Sequence, residues 1–186
     1  KETISFNHIY QWILAANNEI RSLNVGAGTT ICVGFIDDNK LTFFNTGDSN
    51  GIHISGKGNT KTQTTDQSSA GLAIASDLFS ESEIRQKDGG NQLIHALGDE
   101  ILNLSICGPM EINTRDNILI SSDGLTANLS NDDINQAITQ GTLNERVQSL
   151  VELTHQKMNS PSGHHDDLTI LLFTPGRSDS IENPET

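Results

Sequence analysis

The sequence predicts an α+β domain of two packed, mostly antiparallel β-sheets flanked by helices. Three observations carry this prediction. Short β-branched and apolar runs cluster early in the chain, separated only by turn residues. Amphipathic helical patterns stand at the start and near the end, and one apolar run closes the ordered part. Strands do not alternate with helices, as a parallel βαβ sheet would require.

The elements follow in order. Phe6, Ile9, Tyr10, Ile13, Leu14 and Ile20 recur at helical spacing, so residues 4–23 form an amphipathic helix that Gly26-Ala27-Gly28 ends. Thr29–Ile36 and Leu41–Asn45 are strands of a hairpin whose turn is Asp37-Asp38-Asn39-Lys40. Gly47-Asp48-Ser49-Asn50-Gly51 turns into the strand Ile52-His53-Ile54, and Gly56-Lys57-Gly58-Asn59 turns into Thr60–Thr65, which completes an antiparallel meander. Residues 66–99 are polar and helical only in pieces, with Ser80 and Glu83 as a capping box. Strands return at Ile101–Ile106 and Asn117–Ser121. Ser130 starts a helix that Gly141 closes, and Thr142 with Glu145 caps the next, over 143–158. Both the first helix and this last one belong on outer faces. Leu168–Phe173 is the closing strand. The expected domain is 1–175, and 176–186 are polar and expected to be a disordered tail.

Composition narrows the function. Eleven basic residues against twenty-four acidic ones give a net charge of −13, which repels phosphate backbones and anionic lipid. Nucleic acid and membranes are therefore not expected partners. No apolar run is long enough to span a bilayer, so a cytoplasmic protein is the default, expected as a monomer. Cys32 and Cys107 lie among apolar neighbours and read as buried thiols, with a disulfide the alternative, since sequence does not give their separation.

Three acidic clusters at strand ends carry the chemistry: Gly47-Asp48-Ser49, Ser122-Asp123-Gly124 and His164-His165-Asp166-Asp167. Carboxylates at neighbouring strand ends can converge, and hard divalent cations relieve their repulsion. Singly, each has a plainer reading, an Asx turn at Asp48 or a strand terminus at Asp123. The His164-His165 pair suggests zinc, but no Cys or His lies at the usual ligand spacing.

Together, in this order, the elements resemble the metal-dependent type 2C (PPM) protein serine/threonine phosphatases of bacterial type. Gly28-Thr29-Thr30, a strand, a hairpin and Asn45-Thr46-Gly47-Asp48-Ser49 look like the family's central signature. Ala96-Leu97-Gly98 follows a flap candidate over 61–95. Ile118-Leu119-Ile120-Ser121-Ser122-Asp123-Gly124-Leu125 and Asp166-Asp167-Leu168-Thr169 complete the pattern, the last with Asp where the family has Asn. The resemblance spans residues 9 to 173 and implies the type 2C phosphatase-like sandwich. It implies that Asp123 and Asp166 bind one metal of a binuclear Mn²⁺ or Mg²⁺ centre, and that Asp48, with Asp123, binds a third, weaker one. The implied reaction is hydrolysis of phosphoserine and phosphothreonine on proteins by a water that bridges two cations, with no Ser, Cys or His nucleophile.

The departures matter equally. The family's early metal-bridging Asp, its Asp-Gly-x-Gly-Gly motif and its phosphate-binding Arg have no counterpart before residue 4, and Asn50 stands where Arg is common. With Lys1 as first residue, the expectation is an N-terminally incomplete, truncated domain whose 186 residues alone are inactive or impaired. The rival reading is a catalytically inactive, phosphatase-like binding module.

Overall fold

A computed structural model, which describes residues 3–76 and 92–176, sorts the strands into two antiparallel sheets. The first has three strands in the order β1 (Ile31–Asp37), β2 (Lys40–Thr46) and β5 (Ser105–Glu111). The second has four: β4 (Thr60–Gln63), β3 (Asn50–Ile54), β6 (Asn117–Ser121) and β7 (Ile170–Phe173). The helices are α1 (Phe6–Ser22), α2 (Ser69–Ala75), α3 (Asp123–Thr126), α4 (Asn131–Ala137) and α5 (Leu143–Met158).

The β1–β2 hairpin closes with Asp37 opposite Lys40, and its two central residues, Asp38 and Asn39, have φ of 45° and 60°. Positive φ at both positions makes a tight turn whose twist matches the strands, and Asp and Asn tolerate it best after Gly.

Alternation along the strands divides the core into layers. Phe43 points between the sheets with Leu41, meeting Ile118 and Ile120 of β6, while Cys32, Cys107 and Met110 border the same cluster. Phe44 points the other way, with Ile31, Val33 and Phe35, and is covered by Ile9, Ile13 and Ile20 of α1. On the far side, Ile52, Ile54, Leu119 and Leu172 are covered by Leu150 and Val147 of α5. Both long helices thus lie on outer faces. Strand β2 is buried on both sides, which is why it reads as a run of buried residues and not as an alternation.

Thr142 caps α5 by accepting from the Glu145 backbone N–H, and Glu145 accepts in return from Thr142 at 2.7 Å. Ser130 and Asp133 do the same for α4.

Several expectations shift. The meander is broken: β2 and β3 lie in different sheets, so residues 47–49 form a crossover and not a hairpin turn. Ile101–Ile106 is not the strand; Ile101 is 82% exposed, Leu102 and Leu104 pack under α1, and pairing starts at Ser105. Thr29 is bonded to Leu97, at 2.8 and 3.1 Å, outside β1, which ties the Ala96-Leu97-Gly98 element to the core. Gly141 does not close α4, which ends at Ala137; it forms the turn into α5, its carbonyl accepting from Arg146 Nε. Strand β7 starts at Ile170, because Thr169 bonds to Ser122 instead. Helix α2 is one of the helical pieces expected over 66–99, whereas α3 has no expected counterpart. The Ser80–Glu83 capping box and the tail over 177–186 lie outside the described residues. Both cysteines are free thiols.

Candidate metal centre

Asp48 stands on the crossover between the sheets. Gly47 adopts φ +99°, and a β-carbon there would meet Thr30 Cγ2 at 2.5 Å, so only Gly fits. The buried amide of Gln67 holds this corner, its Oε1 accepting from Gly47 N–H at 3.0 Å and from Thr46 Oγ1 at 3.2 Å. Ser49 Oγ meets Thr30 Oγ1 at 2.8 Å, and Asn50 Nδ2 donates to the Asp48 carbonyl at 2.7 Å.

Asp123 opens α3 directly after β6, with Ser122 as N-cap residue. Ser122 Oγ donates to the Asp167 carbonyl at 3.0 Å and accepts from Thr169 N–H at 3.0 Å, which draws the Asp166 segment to Asp123. Gly124 permits that approach, since a β-carbon on it would lie 2.4 Å from the Asp167 carbonyl oxygen. Buried Asn128 adds a second tie. Its Nδ2 donates to the carbonyls of Gly124 at 2.9 Å and His164 at 2.8 Å, and its Oδ1 accepts from His164 N–H at 2.9 Å. Asp166 Oδ1 accepts from the Asp167 N–H at 2.7 Å, which fixes its rotamer.

The result is convergence. Asp123, Asp166 and His164 each offer a ligand atom, and these atoms all lie within 4.8 Å of one another. His164 Nε2 is 3.6 Å from Asp166 Oδ2. Asp48 is not among those three, yet it feels them: burial, then Asp123, Asp66 and Asp166, push its carboxyl up to about 6. Burial and Asp166 also raise Asp123, against the opposing pull of His164. Buried like charges disfavour ionisation, and a cation among them would reverse that preference. The donor set of carboxylates with one imidazole fits a divalent metal.

Of the residues expected from sequence, Asp123 and Asp166 come together and Asp48 lies near them. Only one histidine of the His164-His165 pair joins the cluster, as a partner of carboxylates. Sequence reasoning missed His164 in this role, together with Asp66 and Asn128. A histidine two residues before the expected ligand Asp166 was the available signal for the first.

The fold of the chain is similar to those of known structures. The chain superposes on the S. agalactiae serine/threonine phosphatase with a TM-score of 0.78, at 25% identity over 94% of this chain and 74% of that one. It matches the PPM Ser-Thr phosphatase MsPP from Mycobacterium smegmatis, solved with cacodylate, at TM-score 0.74 and 25% identity over 90% and 72% of the two chains. The fold is that of the bacterial PPM-type serine/threonine phosphatases. The PPM fold recurs in the catalytic domain of the phosphatase PstP in complex with two manganese ions, at TM-score 0.74 and 23% identity, covering 92% and 72%. No family model and no curated protein sequence matches the chain. Among the described residues, no helix is long and apolar enough to cross a membrane.

Proposed function

We propose that this protein hydrolyses phosphoserine and phosphothreonine on proteins, with Asp123 and Asp166 as carboxylate ligands of a Mn²⁺ or Mg²⁺ centre. The observation that carries this reading is the convergence of Asp123, Asp166 and His164 on one spot of a PPM fold. Asp48 is proposed, with Asp123, to hold a further, weaker ion, because its carboxyl is strained by the same group of charges. Cacodylate is a tetrahedral oxyanion with the shape of phosphate, so its presence in the MsPP structure supports a phosphoryl substrate. Bound metal supplies an acidified water and offsets charge on the phosphoryl oxygens. The protein's own residues do the positioning. Ser122 and Asn128 bind the Asp166 loop to the Asp123 turn, and Gln67 fixes the corner that carries Asp48. A net charge of −13 disfavours nucleic acid and anionic membrane surfaces as partners. A cytoplasmic monomer whose domain covers residues 1–175 completes the proposal.

The test uses protein expressed from its complete coding sequence, a phosphothreonine peptide and Mn²⁺. Hydrolysis should depend on the metal. Asp123→Ala should lower it by more than the roughly 10–100-fold that loss of an outer-shell partner costs. Calorimetric titration with Mn²⁺ gives a second readout, independent of turnover. Unchanged hydrolysis in Asp123→Ala would refute the assignment. Phosphopeptide binding without turnover, at full metal occupancy, would identify a binding module instead.

A further inference from the structure

The histidine at the cluster is the feature that the carboxylate reading leaves unused. His164 Nε2 is 3.6 Å from Asp166 Oδ2, longer than a hydrogen bond. An ion with ligand bonds of about 2.1 Å sets neighbouring donors about 3 Å apart and opposite ones about 4.2 Å apart. The three ligand atoms, within 4.8 Å of one another, have the spacing of donors that a small closure would bring onto one ion. The backbone that carries the histidine is held in place. Asn128 grips its N–H and its carbonyl at 2.9 and 2.8 Å, and the same amide grips Gly124, the neighbour of Asp123. His165 has no such position in the cluster.

We infer that His164 is itself a metal ligand, sharing one cation with Asp123 and Asp166, and that its nitrogen biases the site toward Mn²⁺ over Mg²⁺. This rests on the reading of Asp123 and Asp166 as metal carboxylates. The selectivity follows from donor chemistry. Mg²⁺ demands near-ideal octahedral oxygen coordination and sheds water reluctantly, whereas first-row transition ions accept imidazole and exceed it in affinity for nitrogen. An all-carboxylate site would discriminate less between the two.

Pulsed electron–nuclear double resonance on the protein loaded with Mn²⁺ alone reports direct ligation. A nitrogen coupling of imidazole type is expected in the unaltered protein and in His165→Ala, and is lost in His164→Ala. His164→Gln, which offers oxygen at similar reach, should retain Mn²⁺ while the Mn²⁺-to-Mg²⁺ affinity ratio, measured by calorimetry, falls about tenfold. Absence of the coupling in the unaltered protein, or its survival in His164→Ala, overturns the inference. If Asp123→Ala and Asp166→Ala also leave Mn²⁺ affinity unchanged, the carboxylate reading fails with it. If those two variants lose Mn²⁺ while the affinity ratio is indifferent to residue 164, only the histidine's role is overturned.

Discussion

The side-chain amide of Asn128 bonds to both the backbone N–H and the backbone carbonyl of His164, 36 residues away, and with the same nitrogen to Gly124. One buried side chain therefore sets the separation of the two segments that carry the candidate ligands.

Replacing it should cost both stability and metal. Asn128→Ala leaves a backbone N–H and two carbonyls without their partner, so about 1–3 kcal/mol of stability should be lost. Mn²⁺ affinity should fall about 10–100-fold, as when other outer-shell supports are removed. Urea unfolding and calorimetry measure the two effects. Unaltered affinity in a folded variant would show that the clasp does not position the site.

Gly124 gives a steric counterpart. A β-carbon there would stand 2.4 Å from the Asp167 carbonyl oxygen, a backbone atom that cannot rotate away. Gly124→Ala should push the Asp166 segment outward, destabilise the fold by about 1–3 kcal/mol and weaken Mn²⁺ binding. A variant as stable as the parent would mean that the loop gives way freely.

The acid limb of stability should depend on Asp116. This residue is 2% exposed; burial alone would raise its carboxyl, but hydrogen bonds from Lys61 at 2.6 Å, Asn113 N–H at 3.0 Å and His53 at 2.9 Å hold it well below the usual range. A carboxyl depressed in the fold contributes stability above its unfolded value of about 3.9, and loses it as pH falls through the folded value. Asp116→Asn should therefore be less stable by roughly 2–3 kcal/mol at pH 7. The gap should persist down to about pH 4 and close below it. A gap that closes between pH 7 and pH 5 would point to another group.

Cys32 should resist alkylation. Burial pushes its thiol up to about 12, and the thiolate is the reactive form. At pH 8 its reaction with iodoacetamide in the folded protein should be about three orders of magnitude slower than in urea. Mass spectrometry of the labelled peptide would decide, and rapid labelling of folded protein would contradict the burial.

Local signals carried well from sequence to structure. The capping pair Thr142 and Glu145 placed α5 correctly, and the period of Ile9, Ile13 and Ile20 placed α1 to within two residues at its N-terminal end and one at its C-terminal end. The motif Asp123-Gly124 and the segment at Asp166 do meet. What misled was chain direction. Apolar Leu102 and Leu104 suggested a strand, but they serve α1 as a packed loop, and burial alone does not distinguish the two. Residues 47–51 carry turn chemistry whether the chain reverses within a sheet or crosses to another, so the crossover was not legible. The histidine left a local signal, two residues before Asp166, but the Asn128 bonds that fix its backbone span 36 residues and leave none.

No ladder of hydrogen bonds joins the two sheets among the described residues; they meet through Leu41, Phe43, Ile118 and Ile120. Apolar contact is non-directional, so this plane resists separation far more than it resists lateral slip. Asp123, Asp166 and His164 ride with the second sheet, while Asp48 rides on the strap between the sheets. A trimmed side chain in the plane, such as Phe43→Leu, would thus let one layer creep over the other and alter how far Asp48 stands from its neighbours. Metal affinity would then act as a gauge of core volume, tuned by residues that never touch the ion.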